Sequence, residues 1–280
     1  MSFSLWLNKQ SIISRLRLAQ VRLLKPGPTT AWWVPWFLSA FILVIFITPW
    51  INPFWLWYSV YALIMVLAIT AWQYFISKTA MGFWLATYGV LFIFWSSTFL
   101  LWLFLENLGY RLLFLIIITL LSWWYLTWWR GLKTLFYLNN PLGNLAPPTI
   151  LSYIAVFCLG TAAHSFLVFL NTPWWVLGLA FYLPMALLTP AILQINYSQI
   201  IKFWRALLIA NVILGQIFLV LLWWPTSFYV VGFTLAAVFA LILLALRQEG
   251  QGFVNTRQVR KELLILLAAL ALVLLSARWS

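Results

Sequence analysis

Asp is absent from the chain, and its acid–base inventory is three glutamates, Glu106, Glu249 and Glu262, one histidine, His164, and one cysteine, Cys158. A metal site needs several convergent His, Cys or carboxylate ligands, and Cys158 with His164 six positions on along one helix does not supply them. Chemistry on prenyl or sugar diphosphates, which holds Mg²⁺ through acidic groups, lacks its carboxylates for the same reason. Ser165 follows His164 directly, but adjacent helical residues point about 100° apart and no acid is placed to orient the imidazole for acyl transfer. The inventory implies no cofactor, no metal site and no catalytic set, so the chain is read as not an enzyme.

The polar groups that do lie among apolar residues are few enough to name. His164 follows Gly160-Thr161-Ala162-Ala163, a run of small residues where helices approach closely. An ionisable side chain inside a span is either a packing hydrogen-bonder or a functional group. Glu106 and Arg111 share one short connection, where they either pair and gate a vestibule or form a solvated loop. Pro184 and Pro190 fall within one apolar run and remove two backbone donors. Asn211, Gln216 and the group Ser96-Ser97-Thr98 are placed to satisfy the freed carbonyls, to line a polar path, or to act as interhelical hydrogen-bonders.

The elements that position these residues follow from composition. Hydrophobic residues make up 66% of 280, charged residues 7%, and mean hydropathy is +1.03, a balance that no polar surface can cover in water. Divided by the roughly 20 apolar residues a bilayer crossing needs, the length accommodates about eight or nine helices. Apolar runs occupy 31–49, 54–76, 81–104, 112–129, 149–170, 174–193, 206–224 and 228–246. A ninth, 263–277, is short: it either crosses by local thinning with Lys261 and Arg278 snorkelling or lies half-embedded, and its lack of a polar face favours crossing. The expected fold is therefore all-α, a polytopic membrane bundle.

The net charge of +13 resembles a nucleic-acid signal until the basic residues are located. They fall between the apolar runs. With the N-terminus inside, all the lysines and arginines except Arg111 and Arg278 lie on one side, and the connections 50–53, 171–173 and 225–227 carry no charge. This is the positive-inside pattern, with tryptophans and tyrosines crowding the run ends as interfacial anchors. The implied partners are the lipid bilayer, anionic headgroups at the cytoplasmic face and other membrane proteins, and not nucleic acid. The implied location is a cell membrane, of prokaryotic plasma-membrane type.

No signal peptide is recognisable at the N-terminus. Residues 1–30 form a basic segment, read over 5–25 as an amphipathic interfacial helix or as a topogenic tail. Lys25-Pro26-Gly27-Pro28 ends it. Residues 31–129 then form a first four-helix half, 130–148 a cytoplasmic connection, 149–246 a second half, 247–262 a basic cytoplasmic loop and 263–280 a short C-terminal helix. Two short matches reflect either a duplication or chance in a chain so rich in Phe, Trp and Leu: Thr48-Pro49-Trp50 recurs as Thr172-Pro173-Trp174, and Phe83-Trp84 with Ala86 recurs as Phe203-Trp204 with Ala206. The two copies are roughly 120 residues apart, as in parallel halves of some transporters.

Three functions fit. A non-catalytic membrane subunit or scaffold accounts for the scarcity of ionisable groups with no further assumption. A facilitator or lipid-handling transporter for an apolar or zwitterionic molecule draws on the two halves and the proline-bearing sixth run. An enzyme is the least supported.

Overall fold

The computed structural model describes residues 40–41, 44–47, 88–131, 147–193, 200–251, 264, 267–268 and 271. Among the described residues there are helices and no strand. The principal ones are α1 (Val90–Trp102), α2 (Leu108–Gly131), α3 (Pro147–Leu170), α4 (Trp174–Leu193), α5 (Ile200–Leu222) and α6 (Phe228–Gln251). Among the described residues three stretches are long and apolar enough to cross a membrane: Leu108–Trp128, Pro147–Leu170 and Phe228–Leu246. The N-terminal segment, the 54–76 run, nearly all of the connection at 130–148, the basic loop beyond Gln251, most of 263–277 and the Thr48-Pro49-Trp50 and Phe83-Trp84 copies lie outside the described residues.

The helix ends have local causes. Asn107 opens α2: its side-chain oxygen accepts the Gly109 N–H at 2.8 Å and its carbonyl accepts the Arg111 N–H at 3.0 Å, as an N-cap does. Pro147 and Pro148 stand in the first turn of α3, where their missing donors are not needed. Asn171 closes α3 in a left-handed conformation, φ 49°, which asparagine tolerates better than most residues.

Helix α3 is the hub. It packs most extensively against α6 and α1 and also touches α2, α4 and α5, so packing crosses the division expected at 130–148. Its crossing with α6 is tight because glycines meet there. A Cβ on Gly160 would stand 2.6 Å from Leu235 Cδ1 and 3.2 Å from the Gly232 Cα, and one on Gly232 would stand 2.6 Å from the Phe157 carbonyl oxygen and overlap Thr161 Oγ1. Helix association inside lipid gains little from hydrophobicity and depends on such close van der Waals contact.

Around the hub, large side chains fill the interior. Phe181 of α4 stacks on Phe218 of α5 with centroids 4.1 Å apart. Trp95 of α1 donates its indole N–H to Ser122 Oγ of α2 at 2.9 Å, both buried. Phe104, Phe166, Phe169 and Phe228 form a chain of ring contacts that joins the neighbouring ends of α1, α3 and α6. Of the three long spans, that of α2 is the least buried, and α2 turns Leu113, Ile116, Ile117 and Leu120 outward.

Candidate functional site

The residues singled out by sequence fall into two places. One is the end of the bundle carrying the α1–α2, α3–α4 and α5–α6 connections. The other is the α4–α5 pair.

At the first, His164 is buried on α3, 5% exposed, beside the backbone of Thr226 in the α5–α6 connection. Its Nδ1 and the Thr226 Oγ1 are both buried with no hydrogen-bond partner. Ser165 donates to the Thr161 carbonyl of its own helix at 2.9 Å. Cys158 is a buried free thiol two turns below.

Glu106 is exposed, and Arg111 is turned elsewhere. The Arg111 Nε donates to the Leu105 carbonyl, and its guanidinium lies over the Trp102 ring, 5.2 Å from the centroid. A cation over an indole face is attracted by the ring quadrupole, which holds the side chain against α1 with no ion pair to Glu106. The gate sketched as one alternative from sequence therefore does not form between these two side chains.

At the second, α4 presents Leu177, Phe181, Met185, Leu188 and Ile192 to the interior, a stripe at helical spacing. Pro184 is half-buried and Pro190 lies within the same continuous helix. A proline removes the donor for the carbonyl four residues back, here Ala180 and Ala186, and both of those residues are exposed. Asn211 of α5 is half-buried. It donates to the Leu207 carbonyl of its own helix at 2.8 Å, and its side-chain oxygen meets the Thr189 hydroxyl at 3.5 Å.

Asn211 therefore does not satisfy the freed carbonyls. Nor do Ser96, Ser97 and Thr98, whose hydroxyls donate to carbonyls of their own helix, those of Phe92, Phe94 and Trp95. Gln216 is exposed on α5 among Ile209, Val212, Ile213, Val220 and Trp223. The hydroxyl of Tyr182 rests directly on Gly215, where no side chain could stand.

Sequence reasoning missed Trp102, Thr226 and Thr189 as partners of these residues, since each meets its partner across a helix–helix contact or a connection. Among the described residues no group of three His, Cys, Asp or Glu side chains gathers in metal-binding geometry. No protein family, curated protein or solved structure matches the chain.

Proposed function

We propose that the chain is a non-catalytic subunit or scaffold of a membrane assembly, built as a bundle of about eight or nine spans with the basic N-terminus in the cytoplasm. The observation that carries this reading is the outward α4–α5 surface. It is apolar enough to face lipid, yet it bears the Gln216 amide, and Pro184 and Pro190 leave the carbonyls of its exposed residues Ala180 and Ala186 without their helical donors. In hydrocarbon each unsatisfied backbone group costs on the order of several kcal/mol. A neighbouring protein helix with its own polar side chains removes that cost.

The second reading, a facilitator for an apolar or zwitterionic molecule, draws on the same two prolines, whose carbonyls would line a substrate path. The packing argues against an internal path there, because the interior side of α4 is filled by the Phe181–Phe218 stack and its neighbours.

The test is a photo-crosslinking residue placed at Leu183 or Val220 in native membranes. One discrete protein adduct is expected, recovered with the same partner on purification in mild detergent and lost in Gln216→Leu while the fold persists. Adducts to lipid alone, or only within the chain, overturn the reading. Pro184→Ala that abolished flux of a solute with stability unchanged would favour the facilitator.

A further inference from the structure

Helix α5 has two faces. Ala210, Leu214, Phe218 and Leu221 are buried against the bundle. Ile209, Ile213, Gln216, Val220 and Trp223 are exposed, at successive intervals of four, three, four and three residues. That alternation is the seven-residue repeat by which one helix packs along another as a left-handed pair. Four of the five positions are large and apolar, and the fifth, Gln216, stands at the centre, seven residues from each end of the row. Gln216 also lies inside the apolar stretch Leu207–Leu222, about 9 Å from its nearer end at a rise of about 1.5 Å per residue. Its amide makes no hydrogen bond among the described residues. Lipid hydrocarbon offers it none, whereas a facing helix can.

The seam itself selects its partner. A single polar side chain at one core position of an apolar seam fixes the register, because any other alignment sets it against apolar groups. A carboxamide both donates and accepts, so another carboxamide at the same level answers it. Copies of one chain carry the same basic residues and insert in the same direction. A two-fold axis relating them therefore runs along the membrane normal and sets their α5 helices parallel. In a parallel, in-register pair each seam residue faces its own counterpart, and Gln216 meets Gln216. No charged residue lies between Ile209 and Trp223, so the seam has no electrostatic feature with which to select a different chain over its own.

We propose that the occupant of this surface is a second copy of the same chain, docked along α5 about a two-fold axis with the two Gln216 carboxamides hydrogen-bonded to each other. The inference rests on the reading of the outward α4–α5 surface as a protein-docking face and names the protein.

The test uses the full chain carrying Cys158→Ala, reconstituted in vesicles of phosphatidylethanolamine and phosphatidylglycerol, with Ile213→Cys, Val220→Cys or, on the outward face of α2, Ile117→Cys. A disulfide forms only where the two Cα atoms come within about 7 Å. Mild oxidation should link the Ile213→Cys and Val220→Cys chains each into a covalent homodimer and leave Ile117→Cys monomeric. Energy transfer between copies labelled at Thr172→Cys, followed as lipid dilutes the protein, should show Gln216→Leu weakening the dimer about tenfold. Gln216→Asn should fall between, since it keeps an amide on a shorter stem. Thermal unfolding identifies any variant that has lost its fold, and the two cysteine positions carry the test if Gln216→Leu is one. Absence of both covalent homodimers, equal linking at Ile117→Cys, or unaltered association of a folded Gln216→Leu overturns the proposal. In native membranes, a photo-adduct from Val220 to a different protein with no homodimer overturns it and leaves the docking surface standing, while adducts to lipid alone sink both.

Discussion

Adding a single methyl group at Gly232 should loosen the centre of the bundle. Its Cβ would stand 2.6 Å from the Phe157 carbonyl oxygen and 3.1 Å from Thr161 Cβ, and would overlap the Thr161 hydroxyl. Because the carbonyl belongs to the backbone of α3, the strain cannot be relieved by a rotamer change alone, and the two helices must separate. A separation of about 0.5–1 Å forfeits roughly a quarter to a half of each contact's attraction along the seam. Overpacking of this kind costs about 1–3 kcal/mol, and exchanging glycine for alanine in a helix offsets about 0.5–1 kcal/mol of that.

Gly232→Ala should thus destabilise the chain by about 1–2 kcal/mol. Gly178 supplies the control, since a Cβ there meets nothing within 4 Å. Gly178→Ala should be neutral or slightly stabilising. Gly160→Ala should fall between the two, because its shortest clash is with the mobile end of Leu235. Equilibrium unfolding of the purified chain in mixed micelles ranks the three. If Gly232→Ala proves as stable as Gly178→Ala, the glycine crossing does not hold α3 against α6 and the central role of α3 is wrong.

Other expected outcomes follow from single contacts. Ser122→Ala leaves the buried Trp95 indole N–H without its acceptor and should cost about 1–3 kcal/mol, whereas Trp95→Phe combined with Ser122→Ala should cost less than the sum of the two single changes in the same unfolding assay. A double-mutant cycle on Phe181→Leu and Phe218→Leu should yield a coupling of about 0.5–1.5 kcal/mol from the stacked rings, and a coupling near zero would show that the pair merely fills space. Asn171→Val replaces a residue that tolerates positive φ with a β-branched one at φ 49° and should cost about 1–2 kcal/mol, while Asn171→Gly should be tolerated. Both are readable by thermal unfolding in detergent.

Much of this architecture is legible in the sequence, and the reasons are specific. The fourth helix was expected over 174–193 and is Trp174–Leu193, because Asn171 and Pro173 mark its start in chemistry as well as in hydropathy. The second was expected from 112 and begins at Leu108. Hydropathy reports the width of hydrocarbon, while the helix continues through Gly109, Tyr110 and Arg111 until Asn107 caps it. The fifth likewise begins at Ile200, ahead of the expected 206, since Lys202 and Arg205 end the apolar run without breaking helical hydrogen bonding.

The small run at 160–163 correctly marked a close approach. Its partner Gly232 went unnoticed, because one glycine in an apolar helix has no distinguishing neighbour pattern. The same limit applied to the candidate sites. Arg111 and Glu106 read from sequence as either a gating pair or a solvated loop, whereas Arg111 lies over Trp102 of the preceding helix. No local spacing encodes a contact between a helix and the end of the one before it. Gln216 was flagged as a polar residue, but only the packing of α5 reveals that it faces outward.

The claim on which everything else rests is that hydrocarbon bathes the exposed faces of these helices and that their connections alternate between two aqueous sides. Single cysteines introduced at Thr172, Ser227, Lys133, Lys202 and Ile117 in a Cys158→Ala background, probed in sealed vesicles with a membrane-impermeant maleimide, test it directly. Thr172 and Ser227 should react from one side, Lys133 and Lys202 only from the other, and Ile117, outward on α2, from neither while remaining open to a lipid-soluble reagent. Labelling of Thr172, Ser227, Lys133 and Lys202 all from the same side, or rapid aqueous labelling at Ile117, would contradict it.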